Sequence, residues 1–385
     1  MGSTTHNSTK DCECYKTTGN SLPKPKIFMK VIFLVVISCY AITIAIYSAS
    51  NSTSSYVPPV QQEPTIALSN NIIRSNLKHI SPLQPSNDSA IFKLPSKKYK
   101  PEIVQHYKSM ESNEKLKKKC SSCAIVSSSG QMLNTGAGEI IDNASCVIRM
   151  NHSPVKQYQN DVGSRTTVRV VCHMSTTNVM ANIDILEGVG TPETIILFGL
   201  NAKNHKWAKL KAEILKEQFP NIDFYSLDKN GELMADVIFE LETGKNRMES
   251  NTWLSTGWYT ILTALDMCEK IDIYGFVYEN YCREHPHENT KYHYSQSFDS
   301  PGECDYYHSH ENATLFGGHR FLTEKAVFNR WAYLYNITFH YPLWNINRTS
   351  EPPVVNTPWI KRVEKTSWSV DIFQKIAKWA FGTMY

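Results

Sequence analysis

The C-terminal two-thirds of this 385-residue chain predicts an α/β fold, a mostly parallel sheet flanked by helices. Three observations predict it. The short β-branched runs "CAIVSSSG", "ASCVIRMN", "TTVRVVCHM", "ETIILFGL" and "KIDIYGFV" are apolar at successive positions, as strands covered on both faces are. Stretches such as "KWAKLKAEILKEQF", "GWYTILTALDMCEK" and "RFLTEKAVFNRWAYLY" carry apolar residues at helical spacing. The two patterns alternate along the chain, which argues for parallel pairing through helical crossovers.

The elements ahead of that region read differently. From Val31 to Tyr47 the run "VIFLVVISCYAITIAIY" carries no charge, and "IFM" before Lys30 extends it toward the roughly 20 residues that a bilayer core requires. Lys24, Lys26 and Lys30 precede it, and no positive charge follows in "SASNSTSSYVPPVQQ". The positive-inside rule then puts the N-terminus in the cytosol. The apolar run is too long, and starts too late, for a cleaved signal peptide. Residues 1–26 are therefore expected as a cytoplasmic tail, 27–47 as a transmembrane signal anchor, 48–115 as a flexible stem rich in Ser, Asn, Pro and Gln, and 116–385 as a folded lumenal domain. The final "SVDIFQKIAKWAFGTMY" has the pattern of a short amphipathic helix.

A lumenal position sets how the cysteines read. Cys120, Cys123, Cys146, Cys172, Cys268, Cys282 and Cys304 fall on the oxidising side, so disulfides are expected, and the odd number leaves at least one thiol over. Glycosylation sequons begin at Asn51, Asn87, Asn143, Asn151, Asn312, Asn336 and Asn347. The net charge of +4 is mild, and no basic stripe is interleaved with aromatics, which argues against a nucleic-acid partner.

Several short motifs have the makings of chemistry. In "CAIVSSSGQML" a strand runs into a Ser/Gly loop, the kind of turn that lets backbone and hydroxyls approach a phosphate or ribose. Ser255-Thr256-Gly257 stand at a helix N-terminus, where free N–H groups favour an anion; a plain Ser N-cap explains the same residues. His293 lies between Tyr292 and Tyr294 in "KYHYSQSF". In "GGHRFLTEK", His319 follows two glycines and precedes Glu324 by five residues, and an imidazole there suits proton abstraction near neutrality. His285 and His287 lack partners at zinc spacing and read as surface loop residues. There is no Asp-x-Asp, the usual grip for Mg²⁺ or Mn²⁺ on a sugar-nucleotide diphosphate.

Taken in order behind a type II anchor, these pieces resemble the animal sialyltransferases. The long motif of that family is similar to the segment from Cys123 to about Val171, the short motif to "STGWYTILTALDMCEKIDIYGFV", the third to "YHYS", and the last to His319 with Glu324. "NTWLSTGW", "CVIRMN" and "PGECDYYHSHE" look most like the smaller N-acetylgalactosaminide α-2,6-sialyltransferases acting on sialylated Galβ1-3GalNAc. The resemblance implies a GT-A-like Rossmann variant in the Golgi lumen. It implies CMP-sialic acid as co-substrate, glycoprotein or glycolipid acceptors, no metal cofactor, and inversion at the anomeric carbon. It further implies His319 as general base, His293 as a stabiliser of the leaving phosphate, and Ser128, Asn151, Ser255, Thr256, Gly257 and Tyr294 as donor-binding positions. Glu324 would support the site, either by orienting the imidazole indirectly or by steadying the local helix. Cys123 and Cys268 match the family's disulfide between long and short motifs, and Cys282 with Cys304 makes a second bridge plausible. Cys172 stands where some relatives carry a donor-contacting Asn. If Asn151 contacts the nucleotide, its sequon should stay unglycosylated. Transfer in another linkage, α-2,3 or α-2,8, and an inactive glycan-binding protein on the same fold are the rival readings.

Overall fold

Burial of the β-branched runs on both faces organises the molecule, here a computed structural model that describes residues 100–247, 252–296, 300–313 and 318–365. The anticipated anchor, the stem as far as residue 99 and the C-terminal amphipathic helix lie outside those residues. Among the described residues no helix is long and apolar enough to cross a membrane.

Eight strands form one sheet: β1 (Tyr107–Ser109), β2 (Cys120–Val126), β3 (Cys146–Met150), β4 (Thr166–Cys172), β5 (Pro192–Phe198), β6 (Asp223–Leu227), β7 (Cys268–Tyr274) and β8 (Ile337–His340). Their order is β1-β6-β5-β4-β3-β2-β7-β8. β1 is antiparallel to β6 and every other pairing is parallel. The five apolar runs read from the sequence are β2, β3, β4, β5 and β7. The short helices are α1 (Gly138–Asp142), α2 (Gln159–Val162), α3 (Thr176–Ala181) and α7 (Tyr281–Glu284). The longer ones are α4 (Lys206–Gln218), α5 (Lys229–Thr243), α6 (Thr256–Met267), α8 (Glu303–Asn312) and α9 (Phe321–Leu334).

Both faces of the sheet are covered. On one, Ile238 and Phe239 of α5, Trp258, Ile261 and Leu262 of α6 and Val327 and Trp331 of α9 pack on Ile125, Ile148, Val168, Val170 and Ile273. On the other, Ala208, Ala212 and Leu215 of α4 meet Val171, Ile195, Leu197 and Phe224, while α1 and α2 supply Ile141 and Val162 against Ala124, Val126 and Val147. Each large apolar side chain buried in this way contributes about 1.5–3 kcal/mol. The helix α6 is enclosed all round: every residue from Trp258 to Met267 is buried, with Asp266 partnered by Val104 N and Thr263 by the Tyr259 carbonyl. It ends one residue before β7, so "CEK", helical by pattern, is strand instead. Ile103, Val104 and Tyr107 sit in the same core, so the packed fold takes in residues ahead of 116.

Three disulfides staple the sheet and its loops: Cys120–Cys146, Cys123–Cys268 and Cys282–Cys304. The first of these pairings had no signal in the sequence. Among the described residues Cys172 is the free cysteine.

Candidate active site

Parallel strands present their carboxyl ends along one edge, and the order reverses where β2 meets both β3 and β7. Ligands in open α/β sheets bind at such a switch point. A cavity of about 1350 Å³ opens there, lined by the loops that leave β2, β3, β4, β5 and β7. That is more than one small ligand fills. Ser128, Asn151, Ser255, Thr256, Gly257, His293, His319 and Glu324 all line it, although they come from five separate stretches of chain.

The loop after β2 is fixed from the neighbouring strand. Ser127 donates from N to the Tyr274 carbonyl (3.0 Å) and from Oγ to the Gly275 carbonyl (2.9 Å). Gly275 has φ +79, and a Cβ there would come within 2.3 Å of Ser127 Oγ, so glycine is required on both counts. This fixes the next residue, Ser128, whose Oγ lies 2.6 Å from His293 Nδ1. Burial, with His152 adding in the same direction, pushes His293 down to about 4, so its ring is neutral near pH 7. A phosphate arriving beside it would raise that value.

Asn151 follows β3 in the left-handed region (φ 48), which Asn tolerates better than most residues. Its Oδ1 accepts from Cys172 N (3.2 Å) and its Nδ2 donates to Thr256 Oγ1 (3.2 Å), joining the ends of β3, β4 and α6. Beneath it lie two fully buried guanidinium groups, Arg149 and Arg169, paired across β3 and β4. Arg169 Nη1 donates to the carbonyls of Asn151 (2.9 Å) and Ser153 (3.1 Å). Burial lowers Arg149 to about 10; burial and then the Arg149 charge lower Arg169 to about 9. Both stay cationic at neutral pH; Arg169 places its charge behind the Asn151–Ser153 turn, while Arg149 donates to the Val162 and Arg165 carbonyls at the start of β4.

The hydroxyl of Ser255 is already committed. It caps α6 by accepting from Trp258 N (3.1 Å) and donates to the Glu324 carboxyl, which also accepts from Ser255 N (2.8 Å). Of the first turn of α6, the N–H groups of Thr256 and Gly257 remain as the donors a helix start offers an anion. Glu324 is 1 % exposed, and burial pushes its pKa up to about 8 against the pull of the Ser255 hydrogen bonds. It does not touch His319. Instead it holds the segment that does.

That segment is Trp253–Ser255. Trp253 N donates to the Gly318 carbonyl (3.1 Å), and the Trp253 carbonyl lies 2.9 Å from His319 Nδ1. A carbonyl only accepts, so Nδ1 carries the proton and Nε2 presents its lone pair. Gly318, at φ +86, makes the turn that brings the imidazole round. Burial, reinforced by His310 and Arg320, pushes His319 down to about 4 against the Trp253 carbonyl, so the ring is neutral at physiological pH.

Tyr294 stands apart from the others. Its ring is buried away from the cavity lining and its hydroxyl donates to the Pro154 carbonyl (2.6 Å), while its N–H donates to the Ser128 carbonyl (2.7 Å). Its place is behind the β2 loop. Cys172 does line the cavity, its Sγ 3.3 Å from Ser175 Oγ. Sequence reasoning missed Trp253, Tyr306 and Lys325 on the wall and Arg169 beneath it. Trp253, Tyr306 and Lys325 lie within the quoted stretches "NTWLSTGW", "PGECDYYHSHE" and "GGHRFLTEK" without being singled out there, and nothing local marks Arg169 as part of the site.

The description Glycosyltransferase family 29 (sialyltransferase) matches residues 74–328. The alpha-N-acetylgalactosaminide alpha-2,6-sialyltransferase 6 of Bos taurus is 39 % identical over 248 residues, 63 % of this chain and 74 % of its own length. A Homo sapiens alpha-N-acetyl-neuraminyl-2,3-beta-galactosyl-1,3-N-acetyl-galactosaminide alpha-2,6-sialyltransferase is 40 % identical over 233 residues, 58 % of this chain and 75 % of its own. A crystal structure of a mammalian sialyltransferase aligns at 19 % identity and TM-score 0.36, over 57 % of this chain and 68 % of that one.

Proposed function

Because the chain belongs to glycosyltransferase family 29, the sialyltransferases, we propose that it transfers sialic acid from CMP-sialic acid to O6 of GalNAc in sialylated Galβ1-3GalNAc. The names of its relatives at 37–40 % identity support the linkage. The catalytic domain is read as a GT-A-like Rossmann variant. It would be held in the Golgi lumen by a type II anchor at residues 27–47, behind a cytoplasmic tail of residues 1–26 and a stem that ends before the core residue Ile103.

The observation that carries the reading is the fixed tautomer of His319 in a cavity too large for a donor alone. The acceptor hydroxyl gives its proton to His319 Nε2 as its oxygen bonds the anomeric carbon. The bond from that carbon to the phosphate oxygen breaks with inversion, and its electron pair leaves on CMP. A positioned base of this kind is worth about 10²–10⁴-fold. The departing phosphate meets Ser128 and His293 and the start of α6 at Thr256 and Gly257, with Arg169 behind them acting through the Asn151 carbonyl. Ser255 and Tyr294 act behind these, as cap and as support. Glu324 orients His319 at one remove, through the Trp253 carbonyl.

The test is transfer from CMP-sialic acid by the secreted chain from about residue 100, with EDTA present. Galβ1-3GalNAc is offered with and without α-2,3-sialic acid. An α-2,6 product on the hexosamine supports the reading, and an α-2,3 or α-2,8 product replaces its linkage. CMP binding with no transfer to any acceptor leaves the glycan-binding alternative.

A further inference from the structure

Trp253 is 54 % exposed, whereas Trp258, Trp331 and Trp359 are deep in the core. Its ring lines the cavity, and its backbone is held on both sides, by Gly318 and by His319. The indole meets the His319 imidazole edge to face, with centroids 6.1 Å apart and planes at 75°. Tyr292, Tyr306 and Phe321 continue the same wall, with Tyr292 and Tyr306 stacked at 3.8 Å. The polar groups Ser128, His293, Asn151 and Thr256 line the same cavity, and His293 borders this wall through its ring contact with Tyr292 (centroids 4.3 Å apart).

We propose that the exposed Trp253 indole is the platform for an acceptor sugar, stacking on the apolar face of a galacto-configured ring so that its hydroxymethyl oxygen lies against His319 Nε2. This rests on the assignment of His319 as the base. The chemistry fits the residue type. A galacto ring with axial O4 leaves C3, C4, C5 and C6 as one C–H face, and an indole offers a rigid, broad, weakly hydrated partner. Because the same residue's carbonyl sets the imidazole and its ring would seat the sugar, base and nucleophile share one mount.

Initial-rate kinetics on Trp253→Leu and Trp253→Phe test it, with CMP binding measured by calorimetry on each. The expected result for Trp253→Leu is an acceptor KM about 10-fold higher, a loss of ~1.4 kcal/mol. The donor KM and the CMP affinity stay as in the wild type, and Trp253→Phe recovers part of the loss. An unchanged acceptor KM in a variant that binds CMP normally would overturn the proposal. So would a fall in kcat at constant KM, which would make Trp253 a positioning residue for His319 alone. Should Trp253→Leu not fold, the Phe variant decides on the same criterion. His319→Gln separates the two assignments: retained turnover there ends the base assignment, while a raised acceptor KM in the Trp253 variants still supports stacking.

Discussion

The pH profile of the free enzyme is the sharpest probe of the base proposed at His319. An ordinary histidine titrates at 6.5, whereas burial holds His319 at about 4. The neutral form is the one that accepts a proton, so activity is present above the pKa and lost as pH falls through it. At pH 5.5 an imidazole with a pKa of about 4 is about 97 % neutral, and one at the ordinary value is about 9 % neutral. The two cases differ about tenfold in kcat/KM at pH 5.5 relative to pH 7.5, and kcat/KM reports the unliganded enzyme. The assay is initial-rate transfer across pH 4.5–8, with donor breakdown subtracted and folding checked by circular dichroism at each pH. His293 is held at a similar value, so the measurement is repeated in His293→Gln to assign the limb. A limb near 6.5 that survives in His293→Gln would refute the argument that burial sets the base.

Other expectations follow from the same geometry. Glu324 has a folded pKa near 8, above its ordinary 4.5, so its contribution to stability is complete below about 4.5 and lost as pH rises through about 8. Melting temperatures of Glu324→Gln relative to wild type should accordingly improve between pH 5 and pH 8.5. Removing the Cys123–Cys268 bridge, across a separation of 145 residues, should cost about 5 kcal/mol of loop-closure entropy and sharply reduce secretion of Cys123→Ser with Cys268→Ser. Glu242 is 1 % exposed and accepts from Arg330 Nε (3.1 Å) and Trp331 Nε1 (2.9 Å). Its replacement by Ala removes the carboxylate beside a buried guanidinium and should cost about 3–5 kcal/mol in chemical denaturation. Gly275→Ala, with its Cβ forced against Ser127 Oγ, should weaken CMP binding in isothermal titration as the β2 loop shifts.

Much of the fold was legible because apolar runs and helical spacing are local. Five strands and the helices α4, α6 and α9 could be read that way. β6 and β8 were missed: "DFYSL" is short and partly polar, and "ITFH" alternates too briefly to stand out. The amphipathic α5 lay in a stretch whose surroundings gave no contrast, and β1 is three residues on an edge. Within the site, residue types and their order were readable, but the partners were not. From its place five residues after His319, Glu324 reads as orienting the imidazole indirectly or as steadying the local helix. The helix carries that carboxylate to Ser255, 69 residues earlier in the chain. The atom that orients His319 is a backbone carbonyl, and a carbonyl has no sequence signature.

The sequon at Asn151 sets a race during synthesis. On the lumenal side proposed above, oligosaccharide transfer acts on unfolded Asn-x-Ser as the chain emerges, whereas the folded Asn151 amide is tied to Thr256 Oγ1 and faces the cavity. A glycan attached there could not be reconciled with that hydrogen bond or with an open site. Thr256 is made about a hundred residues after Asn151, too late to shield it on the nascent chain. On that proposed topology, the yield of active molecules would depend on how poorly the His152-containing sequon serves as a glycan acceptor in the interval. Conditions that slow folding would lower the active fraction without altering the folded enzyme.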